Sequence, residues 1–116
     1  MNTAWILVAV GLLVALMTFL AATGVLKPNG LIGIRTPSTK LSPEAWRRGH
    51  AAAARVTVPL GLVVSAFGLC LALGWPEFLV RLGQPAALAG IVVIAVGTLI
   101  SGRIAETAAK KVNTAG

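Results

Sequence analysis

The chain has 116 residues, 57% of them hydrophobic and only 11% charged, with a mean hydropathy of +0.90. A water-soluble domain of that length cannot hide so much apolar surface, so the composition excludes one and points to a bilayer. Ten Lys and Arg against three acids give a net charge of +7; on a soluble protein this would suggest nucleic acid, but nine of the ten cations lie in two groups flanking apolar runs, where a membrane protein places them, and no nucleic-acid partner is expected.

In chain order, the first apolar stretch predicts a transmembrane helix over about residues 5–26, long enough to cross the ~30 Å hydrocarbon core. A cleaved signal peptide is the alternative, but the four residues before Trp5 carry no Lys or Arg and the apolar run exceeds a normal signal core. Lipid gives helices little hydrophobic reason to associate, so contacts should form where small residues let backbones approach. Gly11, Ala15, Thr18 and Ala22 make such a stripe.

Residues 27–55 form the longest connection, KPNGLIGIRTPSTKLSPEAWRRGHAAAAR. Pro28, Asn29 and Gly30 read as a tight turn, since proline presets one dihedral and Asn or Gly accepts positive φ. Leu31, Ile32 and Ile34 around Gly33 are an apolar strip too short to span. In Arg35-Thr36-Pro37 the proline biases Thr36 toward extended geometry, and Ser38 and Thr39 add hydroxyls. Ser42-Pro43-Glu44 reads as a helix start, with a capping hydroxyl, a proline at the first position and an acid favourable to the dipole. That helix puts Trp46 and His50 on one face, at i and i+4, and is expected to lie at the interface before the second span.

The second span is expected over about 56–75, with Pro59 kinking or delimiting its start and a packing stripe at Gly61, Ser65, Gly68 and Ala72. Cys70, the sole cysteine, allows no intrachain disulfide. An outer loop over about 76–85 leads to a third span over about 86–104, with small residues Gly90, Gly97 and Ser101, and a cytoplasmic tail over about 105–116. The expected fold is thus one all-α membrane domain over 1–116: three transmembrane helices, with a long structured cytoplasmic loop and interfacial helix between the first and second. Cations favour the cytoplasmic side of short loops, which puts the N-terminus outside, the C-terminus inside and anionic lipid beside the basic loop. Trp5 and Trp75 would then share the outer interface, with Trp46 at the inner one.

The spaced run Pro28-Asn29, Gly33-Ile34-Arg35-Thr36-Pro37, Thr39, Ser42 and Trp46-x-x-x-His50 resembles the signature loop of the SdpI family of bacterial integral membrane proteins. Founding members are about twice as long, so the chain resembles their C-terminal module. The resemblance implies a multi-pass protein of the bacterial plasma membrane that gives immunity to a secreted killing peptide, with signalling by recruitment of a cytoplasmic partner. The partner- or lipid-binding loop would comprise Asn29, Gly33, Arg35, Thr36, Pro37, Thr39, Trp46 and His50. Arg35 is the strongest candidate, because a guanidinium holds a phosphate or carboxylate in a forked geometry; its alternative is a topology anchor. For His50 a structural role stands against a pH-reporting one, and for Trp46 an interfacial anchor against a binding platform.

Enzymatic chemistry is not expected. The three acids, Glu44, Glu77 and Glu106, fall in separate segments, and no catalytic constellation, metal-ligand spacing or cofactor motif accompanies them. No span carries the ionisable residue that a proton-coupled transporter needs. An accessory subunit docked on a larger membrane protein and a small oligomeric transporter are the competing functions, and a homo-oligomer is compatible with the small-residue stripes.

Overall fold

The computed structural model describes residues 3–29, 33–74 and 77–115. Trp75, expected at the outer interface, lies outside the described residues, as do Gly30, Leu31 and Ile32. Helix is the dominant local structure because a lipid-exposed backbone must satisfy its polar groups within its own segment. Three helices are long and apolar enough to cross a membrane.

Helix α1 covers Thr3–Ala22. It stops four residues short of the expected end because the chain turns: Thr23 sets its amide on the Phe19 carbonyl at 3.0 Å and its hydroxyl on the Phe19 and Leu20 carbonyls, and Gly24 follows at φ +86°.

Helix α2 covers Pro43–Leu73 without a break. The interfacial helix and the second span, expected as two elements, are therefore one. Ser42 caps it by accepting the Ala45 amide at 3.0 Å, with Pro43 in the first turn. Pro59 does not delimit the span: it lies on an exposed face between the buried residues Thr57 and Gly61, so packing on both sides holds the helix through the missing donor. Gly74 ends α2 in the left-handed region at φ +77°, its amide on the Cys70 carbonyl.

After the single turn α3 (Glu77–Val80), helix α4 covers Gln84–Ala115. The segment expected as a tail from residue 105 is thus helical almost to its end. Ala105 and Ala109 continue the buried face begun by Ala87, Gly90, Ile94, Gly97 and Ser101, so this segment has something to pack against.

Helix α2 is the central element and packs along both others; α1 and α4 meet over a smaller area, near their starts. The starts of α1 and α4 meet, Gln84 Nε2 donating to Thr3 Oγ1 at 3.3 Å, so the two run parallel with α2 antiparallel between them. Backbones cross closely at the small residues. A Cβ on Gly11 would overlap the Gly61 carbonyl, one on Gly61 would overlap the Gly11 carbonyl, and one on Gly68 would lie 2.7 Å from the Ala4 carbonyl. The Ser65 hydroxyl donates to the Val8 carbonyl at 2.9 Å, joining α2 to α1. The α1 stripe ends on buried Ala21 and leaves Ala22 half-buried, and Ala72 is likewise half-buried on α2. On α4, Gly90 meets Leu7 and Phe67, Gly97 meets Leu60, and Ser101 is fully buried. Leu7, Val64, Ala87 and Ile94 form the apolar core between the three helices.

The molecule is 54 Å long, more than the ~30 Å hydrocarbon core. The parts free of charged residues are α1, the second part of α2 from residue 56, and α4 up to Gly102. Residues 43–55 of α2, residues 103–115 of α4 and the loop between α1 and α2 thus gather at one end, beyond the hydrocarbon.

Candidate functional site

At that end the α1–α2 loop is held by hydrogen bonds from both neighbouring helices. Its first leg is pinned by Trp46, whose Nε1–H donates to the Leu26 carbonyl at 2.9 Å. Trp46 is 1% exposed, so the expectation of an aromatic-belt residue at the lipid interface is corrected. A side chain with one donor on a large apolar body is well suited to tie an internal chain crossing. Trp5, by contrast, is exposed on α1.

His50, one helical turn on, is fully buried with its ring 4.4 Å from that of Trp46. The Ile34 amide donates to His50 Nε2 at 2.8 Å, so Nε2 is the unprotonated nitrogen, and Nδ1–H donates to the Trp46 carbonyl at 2.7 Å. Both ring nitrogens are therefore consumed by the protein itself. Burial holds the imidazole pKa below its ordinary value of 6.5, only partly offset by the Trp46 carbonyl. Gly33 is required here twice over: its φ is +104°, and a Cβ would sit 2.9 Å from the Trp46 ring and 3.1 Å from His50 Nε2.

Thr39 knots the Arg-Thr-Pro corner. Fully buried, its hydroxyl accepts the Thr36 amide at 2.9 Å and donates to the Ile34 carbonyl at 2.9 Å. It opens a turn of 3-10 helix, Thr39–Leu41, that leads into the Ser42 cap. Its methyl packs at Gly49, where a Cβ would lie 2.9 Å from it and 3.0 Å from the Ala105 carbonyl of α4. Asn29 closes the earlier turn by donating to the Lys27 carbonyl at 2.8 Å.

The third tether comes from α4. Glu106 accepts the Ser38 amide at 2.9 Å and the Ser38 hydroxyl at 2.6 Å, while Asn113 Nδ2 donates to the Ser38 carbonyl at 3.1 Å. The Ser38 hydroxyl, then the Thr36 side chain and the Ser38 amide, hold the Glu106 carboxyl down to about 2; Lys110, 3.9 Å away, adds a weaker attraction. Glu106, Asn113 and Ser38 were not singled out as site residues from sequence. The signal was present: Glu106 and Asn113 stand seven residues apart, on one face of a helix whose small-residue repeat runs on through Ala105 and Ala109.

What these tethers display is Arg35. Residues 33–38 alternate, with Ile34, Thr36 and Ser38 turned inward and Gly33, Arg35 and Pro37 exposed. Arg35 thus stands between two anchored amides, that of Ile34 on His50 and that of Thr36 on Thr39, and its side chain makes no hydrogen bond or ion pair among the described residues. Glu44, the acid at the start of α2, is occupied by Arg47 at 2.6 Å and Arg48 at 2.7 Å, which lower its pKa.

Comparison with known proteins completes the picture. The sequence profile of the SdpI/YfhL protein family matches residues 25–102, more than half of the chain and the loop from residue 25 onward. The chain belongs to the SdpI/YfhL family. No curated protein and no solved structure matches it. Within this family member, Pro28-Asn29, Gly-Ile-Arg-Thr-Pro and Trp-x-x-x-His acquire distinct duties: Trp46, His50, Thr39 and Gly33 build the frame, and Arg35 and Pro37 face outward.

Proposed function

We propose that this SdpI-family membrane protein protects a bacterium from a secreted antibacterial peptide, with its loop on the cytoplasmic side, the N-terminus outside, and Arg35 as the contact for a cytoplasmic partner. The observation that carries the reading is the exposed Arg35, unpaired among the described residues, on a frame of partly buried hydrogen bonds. A guanidinium serving only as a topology anchor needs no such frame, whereas one that must meet a carboxylate or phosphate in forked geometry gains from being held in place. We read the activity as non-enzymatic, since His50 and Glu106 both spend their polar atoms on the loop.

Expression of the chain in a peptide-sensitive bacterium tests the reading. Protection is expected. No protection, together with recovery of one stoichiometric membrane partner in mild detergent, would favour an accessory subunit instead. Accessibility tags at both termini test the orientation, with the N-terminal tag alone expected to react from outside the cell.

A further inference from the structure

We propose that a groove between α2 and α4 at the loop end is a binding site for one anionic phospholipid. The groove has a volume of ≈ 910 Å³ and a mainly apolar floor, in which Ala52 of α2 faces Ile104 and Ala108 of α4. It runs from Ile100 to Val112, about 18 Å along the helix at 1.5 Å per residue, room for a headgroup and the upper part of an acyl chain. Its lower end lies beside the apolar part of α4 and its upper part rises beyond it. A bilayer of about 40–45 Å with a ~30 Å hydrocarbon core has roughly 5–7 Å of headgroup on each side, about one helical turn, so the part of the groove from Arg103 to Thr107 lies in the headgroup layer, where phospholipid is the abundant neighbour.

Charge selects an anionic lipid. Arg103 and Lys111 line the groove at i and i+8, with Thr107 between them, and on the opposite wall Arg48 is paired with Glu44 at 2.7 Å. The Arg103 and Lys111 side chains make no hydrogen bond or ion pair among the described residues. Every glutamate of the chain already has a partner: Glu44, which lines the groove on the α2 side, with Arg47 and Arg48, Glu106 with Ser38, and Glu77 with Arg81 at the far end, so Arg103 and Lys111 remain as the groove's uncompensated charge. A second copy of the chain therefore brings no unpaired glutamate to this rim. A lipid phosphate beside Thr107 lies within reach of both long side chains, with the acyl chain directed down the floor past Ile104 toward Ile100. The site is independent of the immunity reading.

Native mass spectrometry of the full chain, delipidated in detergent and titrated with phosphatidylglycerol or phosphatidylcholine, tests this. One phosphatidylglycerol per chain should be retained in clear preference to phosphatidylcholine. Arg103→Gln with Lys111→Gln should weaken retention roughly 25-fold, the product of two surface cations. Lys27→Gln with Lys40→Gln, an equal charge loss outside the groove, should leave retention unchanged. Ala108→Trp, which fills the floor without changing charge, should abolish it. Equal retention of both lipids, equal loss in the two charge pairs, full retention in Ala108→Trp, or a dimer in place of the lipid adduct would each overturn the proposal.

Discussion

Replacing His50 by Phe isolates the bond that positions Arg35. The ring keeps its place beside Trp46, but Nε2 no longer accepts the Ile34 amide, now held at 2.8 Å. The Trp46 carbonyl lies within α2 and keeps its helical partner, so the main loss is one partly buried amide left without an acceptor, a cost of about 1–3 kcal/mol. If the loop opens locally, that cost appears as a roughly 5- to 150-fold fall in hydrogen-exchange protection at Ile34. The assay is amide exchange by NMR in detergent micelles, with Val64 and Ile94 in the core as internal controls. Protection should fall at Ile34 and Thr36 while the controls hold. Unchanged protection at Ile34 would refute the inference that His50 holds the loop; equal loss at the core would show that it holds the bundle.

Acid should act on the same frame in two stages. The His50 pKa is lower in the folded protein than its ordinary 6.5, so the unfolded chain binds more protons, and the stabilisation present above pH 6.5 is lost as pH falls below it. Glu106 is held down to about 2 from an ordinary 4.5, so its contribution is complete above pH 4.5 and is lost between there and pH 2. Exchange at Ile34 and Ser38 followed against pH should show both stages, and Glu106→Gln should remove the lower one. At the α1–α2 crossing, Gly61→Ala places a methyl into the Gly11 carbonyl and 3.0 Å from the Ala15 methyl, which should cost about 1–3 kcal/mol in denaturant titration of the micellar protein; no loss would mean that the helices separate freely there. Trp46→Phe keeps the ring but removes the donor to the Leu26 carbonyl, and should cost about 1 kcal/mol with a rise in exchange across residues 24–29.

The spans were legible in the sequence because apolar length alone specifies them in a bilayer, and Ser42-Pro43-Glu44 marked the start of α2. Less legible was continuity. Pro59 reads locally as a break, yet Thr57 and Gly61 are buried on either side of it, and residues 105–115 read as a tail until Ser38 appears as the partner of Glu106 and Asn113. Those contacts join residues far apart in the chain: the seven-residue spacing puts Glu106 and Asn113 on one helix face, but no local pattern names Ser38 as their partner. The loop motif identified which residues matter but not how they divide. Tryptophan is a common interfacial residue, so Trp46 reads as exposed, and the loop that bonds to Trp46 and His50 is what makes both internal. Arg35 stands apart for the opposite reason, since its neighbours are consumed and it has no partner among the described residues.

The central claim is that the loop exists to present Arg35, and one comparison tests it most directly. Survival of a peptide-sensitive bacterium should be measured with the wild-type chain, Arg35→Ala and Arg35→Lys at matched membrane levels. The account predicts protection by the wild type, none by Arg35→Ala and little by Arg35→Lys, because an ammonium keeps the charge but not the fork, with exchange at Ile34 and Thr36 unchanged in both variants. Full protection by Arg35→Ala would contradict it and leave the guanidinium as a topological anchor alone.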